Sequence, residues 1–306
     1  MAELISKYEN GNYTVELYSD GTKIRTTTAD TFIPKFAESI DMTVSHKCSH
    51  NCKYCYLGCN ENGCTVDFKK YPWILNSIRP GTEVAINGND VTDKNLEYFF
   101  NLMKERGVIV NITVNQIEFM EHYDKIKELV ENKYVYGVGV SYTHKEDGFI
   151  ERLKEFDNAV VHLVVGIVGL DDLDYLKDND LKILFLGYKK IGRGSDYFSQ
   201  FKNEVKENIA ILAGHLEMYY NHFKIISFDN LAIEQLGIEV TPDTETYMGD
   251  DGQFTFYIDL VSETFARSSI LPKKFQHKIK YGRPVDNMFK IVRRDNAGKK
   301  IPIKQW

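Results

Sequence analysis

The sequence predicts an α/β fold: a partial (β/α)6 barrel of the TIM type with a small N-terminal β element and a C-terminal α+β cap. Two observations lead to this prediction. Between residues 40 and 220, six short apolar or β-branched runs alternate with longer amphipathic stretches, and parallel strands need such crossovers. Crossovers of one hand curl a parallel sheet toward a full or partial barrel, and the alternation stops after residue 220.

The segment before the barrel, residues 1–39, is predicted to form a β-meander. Residues 13–18 and 23–28 alternate or are β-branched, which is typical of strands. Ser19, Asp20 and Gly21 separate the two runs and form a good tight-turn sequence. We therefore expect a small antiparallel unit ahead of residue 40.

The barrel segment, residues 40–220, shows strands and helices in regular order, and Asp93 is an expected N-cap. The predicted strands cover residues 40–45, 83–87, 108–114, 134–141, 160–168 and 181–186. The predicted helices cover residues 68–78, 93–106, 117–132, 148–156, 171–178 and about 198–220. Loops at the C-terminal ends of such strands carry active sites, so this end of the sheet is where chemistry is expected.

The remaining segment, residues 221–306, is predicted to be a cap that ends in a basic tail. It contains a strand at 223–228, a short helix at 229–236 and a strand pair at 254–260 and 263–268. The last 36 residues hold eight lysines and three arginines against two aspartates, a local net charge of +9. The tail either folds back onto the acidic body or binds an acidic partner such as a nucleic-acid backbone.

Composition and charge limit the class of protein. The chain has 43% hydrophobic and 27% charged residues, which excludes disorder and fibrous repeats. Its net charge of −6 argues against a general nucleic-acid coat. The N-terminus shows no secretory signal, and the longest apolar run, residues 159–170, is too short for a membrane span of about 20 residues. These features predict a cytoplasmic protein without a membrane partner.

The cysteines are the most informative residues. All five lie within the 17 residues from Cys48 to Cys64, in a chain without a secretion signal. A disulfide framework would scatter them, and an odd number would leave one unpaired. The clustering therefore indicates metal ligation.

The core of this cluster is Cys48-Ser-His-Asn-Cys52-Lys-Tyr-Cys55. Three closely spaced thiolates suit an iron–sulfur cubane that has one iron without a protein ligand. Two alternatives remain open from the residues alone. The three cysteines have the spacing of one helix face and could be core residues, or they could bind zinc with a fourth ligand. The candidates for that fourth ligand are Cys59, Cys64, His46 and His50.

Cys48, Cys52 and Cys55, with Tyr54 before the last of them and a preceding strand, resemble the radical S-adenosylmethionine (radical SAM) superfamily. The resemblance implies a [4Fe–4S] cluster held by the three cysteines, whose open iron chelates SAM. It further implies reductive cleavage of SAM to a 5′-deoxyadenosyl radical, which abstracts hydrogen from a substrate. A one-electron donor such as flavodoxin or ferredoxin is then an expected partner.

The same resemblance implies SAM contacts at the ends of successive strands. Asn87-Gly88-Asn89-Asp90 lies where the family has a GGE-like segment, although the acidic residue is replaced by Asn89 or displaced to Asp90. Asn115 is similar to the family's TNG-type strand ending, and Ser141 to its strand-end serine. The resemblance also implies that Tyr54 contacts SAM. In the basic loop after the sixth strand, Lys189 and Arg193 are candidates to hold a carboxylate of SAM or of the substrate.

The sequence thus predicts a radical SAM enzyme acting on an unidentified substrate, with a peptide favoured over a nucleotide. No catalytic residue is assigned beyond the cofactor ligands. The alternative is a zinc-stabilised protein that holds nucleic acid or another partner with its basic tail. A further alternative is an enzyme of the same fold that transfers a different part of SAM.

Overall fold

The computed structural model describes residues 2–239 and 249–296. A small antiparallel sheet comes first and has the strand order β1-β2-β3. Its strands are β1 (Leu4–Asn10), β2 (Tyr13–Tyr18) and β3 (Lys23–Thr26). The predicted N-terminal meander is therefore present, and β1 adds a strand that the sequence patterns did not identify.

A ten-stranded sheet forms the body of the protein. Its strands are β4 (Ser39–Thr43), β5 (Glu83–Asn87), β6 (Ile109–Asn115), β7 (Gly137–Ser141), β8 (Ala159–Val164), β9 (Lys182–Leu186), β10 (Ile225–Phe228), β11 (Thr255–Asp259), β12 (Thr264–Ala266) and β13 (His277–Lys278). The helices are α1 (Pro72–Leu75), α2 (Lys94–Glu105), α3 (Gln116–Glu121), α4 (Tyr123–Glu131), α5 (Phe149–Leu153), α6 (Leu170–Leu176), α7 (Arg193–His215), α8 (Asn230–Leu236) and α9 (Val285–Asn296).

The strand order in this sheet is β10-β9-β8-β7-β6-β5-β4-β11-β12-β13. The six predicted strands, β4 to β9, are neighbours in sequence order and parallel, as their crossovers require. β10 and β11 extend the parallel ladder at its two sides, next to β9 and β4. Within this sheet, the antiparallel pairings among the described residues are β11 with β12 and β12 with β13.

The mixed α/β class with a large, mostly parallel sheet is thus confirmed. The sheet is not closed, because no pairing joins β10 to β13 within the described residues. Curvature into a partial barrel stays a prediction, as does the division into three domains. Strands from the predicted cap nevertheless share the main sheet with the barrel segment, since β11 pairs with β4.

The two faces of the sheet differ in character. One row of alternate side chains is apolar, almost fully buried and covered by helices; it includes Ile40, Met42, Val84, Ile86, Ile112, Val114, Val138, Val140, Val161, Leu163, Ile183 and Phe185. The pleat places the other row on the opposite face. That row is partly exposed and largely polar, and it includes Asp41, Asn87, Asn111, Thr113, Asn115, Ser141 and His162. Parallel strands are usually apolar on both faces, so this polar face marks a site.

The small sheet covers the N-terminal ends of the barrel strands. Lys23 donates from Nζ to Ser39 Oγ at the start of β4, over 3.0 Å. Lys182, at the start of β9, donates to the carbonyl of Asp20 in the β2–β3 turn over 2.7 Å. The small sheet therefore occupies part of this end, and a site is expected at the C-terminal ends of the strands.

A buried carboxylate joins the small sheet to the body, and removing it should lower the free energy of unfolding. Glu38 is fully buried and accepts hydrogen bonds from the Tyr13 hydroxyl and, at 2.9 Å, from Arg25 Nε. Glu38→Ala would leave Arg25 buried without its partner, so we expect a loss of about 3–5 kcal/mol in the free energy of unfolding. Chemical denaturation measures it.

The matched control is Glu16→Ala, which breaks the surface ion pair with Lys7 at 2.7 Å. Exposed pairs of this kind contribute about 0–1 kcal/mol. Equal losses in the two variants would contradict a structural role for the buried carboxylate.

The basic C-terminal segment folds back onto the body as far as the structure describes it. Met288 and Phe289 of α9 are fully buried, and Arg79 forms an ion pair with Asp286 at 2.6 Å. Phe289 is therefore a core residue. The final ten residues of the predicted tail lie outside the described residues. No helix in the described part of the chain is long and apolar enough to cross a membrane.

Candidate metal and cofactor site

The five cysteines lie on one loop, residues 45–65, which we call the cysteine loop; it leaves the C-terminal end of β4. Backbone hydrogen bonds pair its two arms: Cys48 N donates to Asn60 O over 3.0 Å, and His46 N to Cys64 O over 2.9 Å. Residues 48–58 form turns and no helix. The alternative that the three motif cysteines occupy one helix face is therefore wrong.

The three motif thiols are half-buried, and each receives N–H donors. The backbone amides of His50 and Asn51 hydrogen-bond to Cys48, and burial raises the pKa of that thiol. Asn115 donates from Nδ2 to Cys52 Sγ over 3.4 Å. The amides of Leu57 and Cys59 hydrogen-bond to Cys55. Such donors to sulfur are what tune iron–sulfur thiolates, so this donor set fits a cluster.

The arrangement of the thiols fits a tetrahedral zinc ion less well than an iron–sulfur cluster. Zinc–sulfur bonds of about 2.3 Å hold four sulfurs roughly 3.8 Å apart. In residues 2–239 and 249–296, the one group of three potential ligand atoms within 4.8 Å of one another is Glu118, Glu121 and His122. The cysteine loop thus presents no compact zinc ligand set among the described residues.

Glu118 ties the cysteine loop to α3. Its carboxylate accepts from Val91 N over 2.8 Å and lies 3.4 Å from His50 Nε2. Both side chains are nearly fully buried, at 6% and 5% exposed. His50 therefore serves as an anchor of the loop, and the sequence patterns missed its partner because the two residues are 68 positions apart.

Arg193 clamps the cysteine loop from the opposite side. Its Nε donates to Cys52 O over 2.9 Å, its Nη1 to Cys59 O over 2.7 Å, and its backbone amide to Cys55 O over 3.1 Å. These guanidinium donors bind backbone carbonyls, where the sequence predicted a carboxylate. A role of Arg193 in holding SAM or substrate stays a prediction.

The chain beside Arg193 approaches the cysteine loop very closely. Gly192 has a positive φ of 56°, and a Cβ there would lie 2.3 Å from Tyr56 O. A side chain at this position would separate the two backbones, so only glycine allows the Arg193 clamp to form.

Asn87 at the end of β5 and Asn89 just after it bind the cysteine loop. Asn87 accepts from Val44 N over 2.8 Å and donates to Ser45 O over 2.6 Å. Asn89 donates to Ser45 O over 3.2 Å and to Cys59 Sγ over 3.5 Å. Both amides thus position the loop, and their predicted contacts with SAM stay predictions.

Asn115 links the motif to the next two strands. Its amide oxygen caps α3 by accepting from Ile117 N over 2.9 Å, while its Nδ2 contacts Cys52. The strand register places Asn115 opposite Ser141, and Ser141 opposite His162. Asn115 and Ser141 therefore lie side by side at the end of the sheet where the cysteines are.

Gly88 and Tyr54 complete the predicted set near the cysteines. Gly88 N donates to Thr113 O over 2.7 Å, and a Cβ at Gly88 would lie 2.9 Å from Val114. Tyr54 packs edge-on against Tyr197 with ring centroids 6.2 Å apart, and burial raises the pKa of its hydroxyl. The predicted contacts of Gly88 and Tyr54 with SAM stay predictions.

Lys189 lies inside the polar face among three carboxylates. Its Nζ donates to Ser269 Oγ over 3.1 Å and sits 4.0 Å from the centre of the Tyr56 ring. Burial alone lowers the pKa of Lys189, but the acidic side chains around it outweigh burial and raise that pKa above its ordinary value. These groups are Tyr56, Asp229, Asp41 and Asp251.

Asp41 is a site residue that the sequence patterns missed. Its side chain is solvent-accessible, yet the surrounding protein raises its pKa from the ordinary 3.8 to about 6, chiefly by desolvation and further through Asp251, Asp229 and Glu83. Lys189 opposes this shift. Asp41 thus lies on the polar face of the sheet, among the acidic groups that act on Lys189. The feature of the sequence that could have indicated Asp41 is a single acidic residue within the apolar, β-branched run 40–45.

The raised pKa of Asp41 predicts a pH-dependent stability. The folded protein binds this proton more tightly than the unfolded chain, so the contribution to stability is full below pH 3.8 and is lost as the pH rises through about 6. We expect Asp41→Asn to gain stability relative to wild type between about pH 4.5 and about pH 7.5. Chemical denaturation at both pH values measures this difference, and the exposed Glu131→Gln is the control. If the free energy of unfolding of D41N and of wild type changes with pH in parallel, the prediction is wrong.

A cavity of about 670 Å³ opens at the same end of the sheet. The loops after β7 and β8 and the helix α7 line it, with Thr143, Gly169 and Asn208 among its residues. Tyr142 supports one wall by donating to Asp172 over 3.1 Å. Its volume suits a ligand of nucleoside size. The sequence patterns did not identify these loops as part of a site.

Comparison with known proteins shows a likeness in fold. No protein-family model matches the chain, and no curated protein matches its sequence. Solved structures of SuiB from Streptococcus suis are similar. SuiB bound to S-adenosylmethionine has a TM-score of 0.53 at 12% identity, covering 80% of this chain and 64% of SuiB.

Two further SuiB structures agree with this result. SuiB bound to its precursor peptide SuiA has a TM-score of 0.57 at 14% identity, over 85% of this chain and 65% of SuiB. SuiB alone has a TM-score of 0.51 at 13% identity, over 82% and 64%. The present chain thus spans slightly less than two thirds of SuiB, and at these identities the likeness concerns the fold.

Proposed function

We propose that the protein is a radical SAM enzyme in which Cys48, Cys52 and Cys55 hold a [4Fe–4S] cluster whose fourth iron binds SAM. The observation that carries the proposal is the donor set: three half-buried thiols, each with N–H donors, on a loop at the C-terminal end of β4. When bound, the cluster supplies one electron that cleaves SAM into methionine and a 5′-deoxyadenosyl radical.

The residues of the chain hold this site in place. Arg193, Glu118 and Asn87 fix the cysteine loop from three sides, which keeps the thiols ordered before the cofactor binds. In the proposal, Tyr54, Gly88, Asn89, Asn115 and Ser141 contact SAM, and Lys189 or Arg193 faces a carboxylate. The cavity at the same end of the sheet has room for the nucleoside. Flavodoxin or ferredoxin remains the proposed electron donor, and a cytoplasmic location stays a prediction.

We further propose a peptide as the substrate. Support comes from the fold likeness to SuiB, which has been solved with a precursor peptide. The polar face of the sheet also provides hydrogen-bonding and charged groups, including Asp41 and Lys189, that would orient an extended chain. Hydrogen abstraction in this setting requires that the site exclude water while the radical exists.

Product analysis tests the proposal. The protein is loaded with iron and sulfide without oxygen, reduced with dithionite and incubated with SAM, and the products are separated by liquid chromatography and mass spectrometry. We expect 5′-deoxyadenosine and methionine in equal amounts. A colourless protein that keeps one zinc per chain would support the zinc-stabilised binding protein, and a different set of SAM fragments would indicate another SAM chemistry on the same fold.

A further inference from the structure

The segment that contains β13, the last strand of the ten-stranded sheet, is strongly positive. Residues 273–283, which we call the basic strip, hold four lysines and one arginine and no acidic residue. These cations are Lys273, Lys274, Lys278, Lys280 and Arg283, and the four lysines are exposed. In residues 2–239 and 249–296, the ion pairs include none of these five side chains. The charge of the lysines is therefore presented to solvent.

The two aspartates of α9, which follow the basic strip, have other partners. Asp286 lies 2.6 Å from Arg79 Nη2, and Asp295 lies 2.6 Å from His277 Nε2. Neither carboxylate forms an ion pair with a lysine of the strip. An acidic ligand that reaches these lysines would therefore not have to displace an aspartate of α9.

The strand geometry turns two of the lysines away from the body. His277 and Ile279 are partly buried, and the His277 ring stacks on Phe265 with ring centroids 5.1 Å apart. Lys278 and Lys280 alternate with them along the chain and are exposed. Successive side chains of an extended strand point to opposite sides, so these two lysines lie on the outer side together.

The basic strip reaches the end of the sheet where the cysteine loop lies. β11 is parallel to β4, β12 runs back, and β13 again runs in the direction of β4. The residues after β13 therefore leave the sheet at the same end as the cysteine loop. Three strand spacings of about 4.8 Å, or roughly 15 Å, separate β13 from β4. An extended peptide covers that distance in about five residues.

Tyr281 adds an aromatic contact to the strip. Its side chain is 88% exposed, and its ring centroid lies 4.3 Å from that of Trp73 on α1. Trp73 supports one side of the ring and leaves the rest open to solvent. Tyrosine is enriched among the residues that dominate the energy of binding interfaces. The strip thus combines exposed positive charge with an aromatic ring that is held in place.

We propose that the basic strip binds an acidic segment of the peptide substrate, at least about five residues away from the residue that reacts. The inference rests on the proposed function, which makes a peptide the substrate. Opposite charges on two surfaces speed their encounter and fix their orientation more than they add affinity. A long phosphate backbone fits less well, because the chain has a net charge of −6 and would repel it beyond the strip.

Fluorescence anisotropy with the iron–sulfur-loaded protein tests this surface. The probe is a fluorescein-labelled peptide of about ten residues in which glutamate and alanine alternate. We expect Lys278→Glu combined with Lys280→Glu to weaken its binding about tenfold, because attraction becomes repulsion at two exposed positions. Raising the ionic strength from about 0.05 M to about 0.5 M should weaken binding to the wild type, because salt screens exposed charges.

The matched control is Lys94→Glu combined with Lys154→Glu, two exposed lysines elsewhere that receive the same change of charge. This protein should bind the peptide within about twofold of wild type. Tyr281→Ala removes the aromatic ring without changing the charge, and we expect it to weaken binding about fivefold. Because Tyr281 is 88% exposed, this substitution should shift the unfolding midpoint little.

Two results would overturn the inference. One is equal affinity of K278E/K280E and K94E/K154E for the peptide. The other is tighter binding of an oligothymidylate of similar length at the same ionic strength, which would make the strip a nucleic-acid surface. SAM cleavage by the wild type is measured separately. If the wild type cleaves SAM, either result refutes this inference alone. If the strip binds the peptide but the wild type cleaves no SAM, the surface stands while the proposed function and the substrate role fail.

Discussion

Cys52→Ala is expected to abolish cluster loading and SAM cleavage, with a loss of more than about 100-fold in both. Replacing a partner of a metal ligand already costs about 10–100-fold, and removing a ligand exceeds that. Cys52 is the central thiol of the motif, and it lies at hydrogen-bond distance from Asn115. Iron and sulfide content per chain, visible absorption and 5′-deoxyadenosine formation measure the loss.

Cys64→Ala is the matched control for this variant. Cys64 lies on the same loop, is exposed and takes part in the loop hydrogen bonds through its backbone carbonyl. We expect this variant to load iron and cleave SAM within about twofold of wild type, as surface substitutions leave stability nearly unchanged. A C52A protein that still assembles a SAM-responsive cluster would remove Cys52 from the ligand set.

Arg193→Met is expected to destabilise the protein by about 2–4 kcal/mol and to speed loss of the cluster to a chelator. The guanidinium donates to two carbonyls of the cysteine loop, at 2.9 and 2.7 Å. Methionine fills similar space but leaves both carbonyls without these donors. Arg193→Lys keeps the charge but lacks the planar set of N–H donors. We therefore expect it to be more stable than R193M and less stable than wild type.

The control for this prediction is Arg294→Met on the exposed side of α9. Substitution of an exposed arginine there should change the free energy of unfolding by less than about 0.5 kcal/mol. Chemical denaturation of the metal-free proteins separates the stability effect from the effect on cluster retention. Equal unfolding midpoints for R193M and R294M would show that the clamp does not hold the loop.

Much of the main sheet could be predicted from local patterns. The six strands β4 to β9 were identifiable because apolar, β-branched runs alternate with amphipathic stretches, and this spacing already requires parallel neighbours. The pairing of β11 with β4 could not be predicted in this way. It joins residues more than 210 positions apart in the chain, and nothing in a strand's own sequence specifies such a distant neighbour.

The cysteines of the candidate site could be identified from the sequence, but the side chains that hold their loop in place could not be assigned that role. The cysteine motif is local, so the sequence could single out Cys48, Cys52 and Cys55, and their role as cluster ligands stays a prediction. The roles of Asn87, Asn89 and Arg193 depend on which backbone groups the fold brings beside them. Their polarity and position at strand ends were visible, which is why the sequence indicated ligand contacts. The structure shows that their hydrogen bonds reach the cysteine loop.

Electron paramagnetic resonance of the reduced, iron–sulfur-loaded protein, recorded with and without SAM, tests the central claim most directly. If one iron of a cluster held by Cys48, Cys52 and Cys55 is open to SAM, adding SAM must shift the g values of the reduced cluster, and Cys64→Ala must show the same shift. An identical spectrum with and without SAM would contradict the account, as would a wild-type protein that binds zinc and assembles no cluster.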